Sequence, residues 1–452
     1  MTRFNLVRIP GVKPLLVSRW PQLILRAVAL GGFVFAILTG LLGTPVGNRN
    51  FSIVVVWIAW WAALILLAVP LLGRGWCSIC PIPMPGEWAQ NKAVLGPIDR
   101  KKSNSVGRRW PKALRNIWLQ NGAFTLLAVF SIVILTRPSI TAWLLLALLL
   151  VSVGVSLLYE RRTFCRYLCP VGGFIGLYSQ MSPVELRVED TSICASHKEK
   201  SCYTGNSAGY GCPWGIFPAG MVKNTNCGLC MECLRTCEYD NVAINLRSFG
   251  EDLTQVRGRK LDEAFKTFIM LGSALVYSIV MLGPWGWLKD AAYQVGSLPW
   301  FGYVLGLLTL TWILLPGLFY LTVRAAQALA STRQTPRQTF IAYAYALAPL
   351  GLIFWIAFSL SFVFANGSYL WPVISDPFGW GWNLFGTAGV DWTPYLTQFV
   401  PGLQVVVLVA GLFWATRIIQ KIASAQKAPR QAWPLIAYCS LITIGMLWVL
   451  VA

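Results

Sequence analysis

Nine stretches of this 452-residue chain stay apolar for about 20 residues, the length an α-helix needs to cross the hydrocarbon core of a bilayer. They lie at about 22–45, 51–73, 116–136, 139–158, 264–284, 299–323, 338–365, 399–418 and 432–451. In lipid every backbone N–H and C=O must be bonded within the segment, so such runs commit a chain to spanning helices. With 12% charged and 56% hydrophobic residues, against roughly 25% charged in soluble domains, one large soluble enzyme is excluded. Disorder is excluded by the same apolar content.

A net charge of +20 would suggest nucleic acid in a soluble chain. Sorted by loop, it marks one side of a membrane instead. With the N-terminus inside, 34 of the 37 Lys and Arg residues fall on the inner side, and only Arg49, Arg137 and Lys289 lie outside. That is the positive-inside pattern, so the expected partner is membrane lipid and not nucleic acid. The first 20 residues are basic and too short of apolar length for a cleavable signal. Arg26 and Glu160-Arg161-Arg162 fall at inner helix ends near the cysteine loops, where the readings are snorkelling anchors or contacts to a quinone headgroup. The outer segment 366–398, rich in Trp, Gly and Pro, reads as an interfacial aromatic lid. The predicted fold is an all-α polytopic membrane protein of about nine transmembrane helices with an inserted cytoplasmic α+β ferredoxin-like domain. Its parts are a four-helix membrane domain (1–158), the iron–sulfur domain (159–263) and a five-helix membrane domain (264–452).

Eleven of the 12 cysteines fall in two inner loops, and Cys439 stands alone in the last helix, where a buried thiol behaves as a small apolar residue. The run Cys227-x2-Cys230-x2-Cys233-x3-Cys237 has the spacing with which three thiolates wrap one 4Fe–4S cube while the fourth ligates the neighbouring cube. Structural zinc needs only four tetrahedral ligands, and disulfides are disfavoured on a reducing face. By the ferredoxin rule the fourth ligand to Cys227, Cys230 and Cys233 precedes a proline, and Cys212-Pro213 supplies it. Cys237 then needs three partners, but only Cys194 and Cys202 remain. The single histidine of the chain stands at Cys194-Ala195-Ser196-His197, in the second position of a C-x2-C. Imidazole ligates iron in some such centres and raises their potential, so His197 is a candidate ligand; the alternatives are a surface histidine beside a cluster completed by solvent, or no cluster in this half.

Two further pairs, Cys77-x2-Cys80-Pro81 and Cys165-x3-Cys169-Pro170, follow the second and fourth apolar runs. Four thiols at two such helix ends could meet and hold a third cube. The competing reading is a redox-active dithiol pair or a transient metal site. One histidine cannot supply a bis-His haem, so any electron carrier here is built on sulfur.

The segment Arg162-Thr-Phe-Cys165-Arg-Tyr-Leu-Cys169-Pro170-Val-Gly-Gly-Phe-Ile-Gly resembles the re-entry motif of membrane-bound polyferredoxins of the NapH, NosR and CcoG type. The resemblance covers about residues 20–250. It departs from the family's pattern in the C-x2-C of the first pair and in Glu238, not proline, after Cys237. It implies an electron-transfer component of a respiratory or redox complex, working between the quinone pool and a partner through cytoplasmic 4Fe–4S clusters in the bacterial inner membrane. An acidic cytoplasmic carrier would suit the basic inner face. The alternative is a metal-handling or assembly factor for a respiratory enzyme, its soft paired thiols suited to Cu(I).

Overall fold

The computed structural model describes residues 3–94, 105–330 and 334–451. Among these, eight helices are long and apolar enough to cross a membrane: Trp20–Leu42, Phe51–Ser78, Pro138–Leu158, Leu261–Leu282, Leu298–Leu329, Pro336–Ser375, Thr397–Ala425 and Pro429–Val451. The ninth apolar run, 116–136, is helical but not one unbroken helix. It forms two helices, Trp118–Val129 and Ser131–Thr136, interrupted at Phe130 (φ −96°, ψ 8°). The hydroxyls of Thr125 and Thr136 donate back to the carbonyls of Asn121 and Ile132, a pattern that bends helices. The Phe130 ring tilts against Trp300 at the break.

The chain divides into two compact units, one of residues 1–35, 67–120 and 144–252, the other of 36–66, 121–143 and 253–452. The second is a helical bundle. Trp355 is buried at its centre, its indole N–H donating to Met270 O at 3.1 Å, with the rings of Trp61, Phe124, Tyr277 and Phe358 around it. Glycines set how closely its helices approach. A Cβ on Gly411 would lie 2.8 Å from Ile353, and one on Gly272 would lie 2.7 Å from Thr311, the small-residue contact by which helices pack without a hydrophobic drive. Cys439 is buried there and takes no part in the cysteine groups described below.

The first unit holds the other eleven cysteines and a three-stranded antiparallel sheet, in the order β1–β3–β2, of β1 (Phe4–Asn5), β2 (Val184–Val188) and β3 (Val242–Leu246). Both longer strands alternate apolar residues toward the interior: Leu186, Val242 and Ile244 pack with Cys202, Leu229, Cys233 and Leu234. The N-terminal segment covers this core with Leu6, Val7, Leu16 and Val17. Arg235 holds the segment in place, donating to Val17 O at 2.7 Å and to Ser18 O at 3.2 Å. Charged residues of the sheet are internally neutralised: Arg187 and Arg247 share Glu185 and Asp252. Residues 189–241, between β2 and β3, carry seven of the cysteines.

Candidate metal centre

All twelve cysteines are free thiols. Among the described residues, no three His, Cys, Asp or Glu side chains close tightly enough on a point to hold a single ion. A cube asks for no such convergence, because each thiolate binds its own iron. The eleven cysteines of the first unit nevertheless fall into three groups.

The first group is Cys77, Cys80, Cys165 and Cys169. Its members lie within electrostatic reach of one another. Burial pushes the Cys165 thiol well up, and Cys169, Cys80 and Cys77 raise it further. Burial likewise raises Cys80, with Cys77 and Cys169 adding to the effect. Local structure delivers the second pair. Cys165 sits on a π-helical turn, Phe164–Leu168, and Cys169 caps the helix Pro170–Tyr178, its Sγ accepting from Gly172 N–H at 3.2 Å. Proline suits the first position of that helix because it has no N–H to satisfy. The helix N-terminus favours a negative sulfur, although burial still pushes Cys169 up to about 11.

The second group lines one pocket: Cys212, Cys227, Cys230 and Cys233, with apolar walls from Leu186, Ile216, Pro218, Met221 and Met231 and the indole of Trp214. Leu229 (φ 46°) and Met231 (φ 61°) flank Cys230 in the left-handed region, costly for residues bearing a Cβ. Gly228 is required here, since a Cβ would lie 2.4 Å from Trp214 Nε1. Burial, and then the neighbouring thiols, push Cys227 up to about 11 and Cys230 to about 12.

The third group lines a separate pocket that holds Cys194, His197, Cys202 and Cys237 together with Tyr239 and Asn241. His197 stacks on Tyr239 with centroids 4.2 Å apart, and its Nδ1 is 2.7 Å from Ile193 O. A proton on Nδ1 satisfies that carbonyl and leaves Nε2 as the free nitrogen, the arrangement common in metal-ligating histidines. Asn241 bonds two sulfurs, its amide reaching Cys194 Sγ at 3.3 Å and its N–H reaching Cys237 Sγ at 3.4 Å. Burial and the charges of Cys237 and Cys194 push Cys202 up to about 11.

The second and third groups each line one pocket and the first is joined by mutual electrostatic influence; each set of four soft or borderline donors fits a 4Fe–4S cluster by its chemistry. Protonated thiols crowded in burial are poised to exchange protons for a cationic centre, since ligation by metal deprotonates a thiol outright.

Sequence reasoning missed what surrounds the sulfurs. Arg162 was expected to snorkel; it is 5% exposed, pairs with both oxygens of Glu87 and donates to Cys77 O at 2.7 Å. Arg26 donates to Ser78 O at 2.7 Å and lies 3.5 Å from Glu87. A cleft of about 420 Å³ has Cys212 and Cys230 in its wall together with Arg26, Glu87, Arg162 and Tyr210. No local spacing marks Glu87 as the partner of residues 61 and 75 positions away. In the second unit, Lys266 is fully buried with its ammonium 4.5 Å from the Phe124 ring centroid.

Comparison with known proteins bears on the first group most directly. A family described as a 4Fe-4S binding domain matches residues 53–102 and 141–188, and these segments contain Cys77 with Cys80 and Cys165 with Cys169. Together with the eight helices long and apolar enough to cross a membrane, the match makes this chain similar to multi-pass membrane proteins that carry a 4Fe–4S binding domain. Among curated proteins the chain is similar to YccM of Escherichia coli (strain K12), a candidate electron transport protein, with 33% identity over 94 residues. That stretch is 20% of this chain and spans 24% of the relative's length. No solved structure matches the chain.

Proposed function

We propose that the protein is a membrane electron-transfer subunit that passes electrons between the quinone pool and a redox partner through three 4Fe–4S clusters. The observation that carries this reading is the sorting of eleven cysteines and the single histidine into three four-ligand groups within one compact unit. The clusters would be held by Cys77, Cys80, Cys165 and Cys169; by Cys212, Cys227, Cys230 and Cys233; and by Cys194, His197, Cys202 and Cys237. Such clusters, when bound, carry one electron at a time, which divides a two-electron quinol oxidation into single steps. The chain's own residues hold the sulfurs out of water, supply N–H donors to them and place buried cations nearby. Support for quinone comes from the cleft of about 420 Å³ bordered by Cys212, Cys230 and Glu87, within the size range of small-molecule sites. The positive-inside pattern supports a cytoplasmic side of a bacterial inner membrane for the cluster-bearing unit, where its basic surface would attract an acidic carrier or subunit. YccM carries an electron-transport description, in keeping with this reading.

The test uses full-length protein in liposomes with a short-chain ubiquinol or menaquinol, followed by EPR. Cluster signals should appear on addition of quinol, or, for reverse flow, dithionite-reduced clusters should be oxidised by the quinone. Clusters present but inert to both would remove the quinone from the proposal.

A further inference from the structure

Among the described residues of the first unit three arginines are buried: Arg74, Arg162 and Arg247, at 2%, 5% and 7% exposure. Arg162 is matched by Glu87, and Arg247 by Glu185 and Asp252. Arg74 is different. Among the described residues no carboxylate pairs with it, its Nε and Nη1 have no hydrogen-bond partner, and only Nη2 donates, to Gly172 O. A buried charge of this kind is strongly unfavourable without a counter-charge.

The fold nonetheless builds a slot for it. Gly73 takes a left-handed turn (φ 56°) against Ser179, where a Cβ would stand 3.0 Å from the Ser179 backbone. Gly172 and Gly176, one helical turn apart, form the floor: a Cβ on either would come within 3.2 Å of the guanidinium. Trp214 forms the roof, its ring 4.6 Å from Arg74 Cζ, and Trp214 also walls the pocket of Cys212, Cys227, Cys230 and Cys233. The guanidinium lies within electrostatic reach of Cys77 and Cys169 of the first group and of Cys227 of the second.

We propose that Arg74 is the shared counter-cation of two iron–sulfur centres, the one at Cys77, Cys80, Cys165 and Cys169 and the one at Cys212, Cys227, Cys230 and Cys233. The inference rests on the cluster reading above. A cube ligated by four thiolates is anionic and gains a further negative charge on reduction, so an unneutralised cation in a low dielectric favours the reduced form of both. The two partnerless nitrogens, Nε and Nη1, carry N–H donors suited to cluster sulfur. Arg74 acts by positioning charge and binds no substrate. Its consequence is that the two potentials are raised together, which keeps neighbouring centres matched for transfer.

The experiment is an EPR-monitored redox titration of full-length, detergent-solubilised protein as wild type, Arg74→Gln and Arg74→Lys, with iron measured in each. In Arg74→Gln both centres should become harder to reduce by about tenfold in the reduced-to-oxidised ratio, 59 mV for one electron. The centre at Cys194, His197, Cys202 and Cys237 should stay put. If the glutamine variant yields no iron-loaded protein, Arg74→Lys decides alone. It keeps the charge but loses the planar fork, so the same two potentials should fall together by less. A shift in only one centre, or in none, with iron retained overturns the inference. A wild type that lacks either cluster overturns the cluster reading instead, and iron content separates the two failures.

Discussion

Cys212, Cys227, Cys230 and Cys233 line one pocket and Cys194, His197, Cys202 and Cys237 line another, yet a single loop feeds both. The first pocket is all thiol and walled by leucine, isoleucine, proline and methionine. Its central loop is held in strained left-handed backbone at Leu229 and Met231, and the buried Arg74 and Arg162 lie against the Trp214 ring. The second is lined by polar residues, replaces one thiol with a half-buried imidazole, and has its sulfurs bonded by Asn241. One sequence run can thus serve two centres of different potential, because ligand charge, sulfur hydrogen bonds and solvent access, and not the run itself, set the potential. The imidazole carries no charge where a thiolate carries one, so the His197 centre should be the easier to reduce, the sink or exit of the pair.

The largest expected effect falls on the all-thiol pocket. Cys230→Ala should remove about four irons per chain or prevent the first unit from folding, since cluster binding and folding are coupled. Iron analysis with a protease-resistance assay distinguishes the two, and full iron in a stable variant would sink the assignment of that group. Next comes His197. Replacement by Cys should keep the iron and lower that centre's potential by on the order of 100 mV, while His197→Ala should let a chelator strip it faster than its neighbour. If iron, EPR spectrum and potential are all unaltered in His197→Ala, the imidazole is a surface group.

Acid should then separate the two pockets. A ligating imidazole must be unprotonated at its iron-bound nitrogen, so acidification should bleach the His197 centre before the all-thiol one. Simultaneous loss of both centres would remove the distinction. The smallest effect concerns iron-free protein. Folding raises the thiols of Cys169, Cys202 and Cys227 from 9.0 to about 11. Between those values the folded state holds protons that the unfolded state has released, so folding loses stability as pH rises. Below about pH 8 these thiols are protonated in both states and the term is fully present. A chemical denaturation midpoint of iron-free protein that is flat to about pH 8 and declines toward pH 11 is the expected outcome; a midpoint that rises over that interval contradicts it.

Most of the bundle was legible in the sequence because apolar length is a local property. Eight of the nine runs form helices of spanning length. The run at 116–136 was not, because the interruption at Phe130 depends on where Thr125 and Thr136 direct their hydroxyls and on packing against Trp300. The spacing Cys227-x2-Cys230-x2-Cys233-x3-Cys237 carried the expectation of two ligand groups, and His197 lines one pocket with Cys194, Cys202 and Cys237. The meeting of Cys77 and Cys80 with Cys165 and Cys169 could be anticipated only as one option among others, because 85 or more positions separate the pairs and no local spacing links them. What the sequence hid is the charge around the sulfurs. Arg162 reaches Glu87 and Arg74 lies on Gly172 and Gly176 through long-range packing, and the two-residue segment Phe4–Asn5 is too short to signal that it completes a sheet with β3.

The central claim, three four-ligand groups each holding a cube, is tested most directly by iron and acid-labile sulfide per chain in anaerobically purified protein. The expected result is about 12 of each. About eight of each would mean that one group stays empty and three centres is wrong, and iron without matching sulfide, or neither, would contradict the iron–sulfur account altogether.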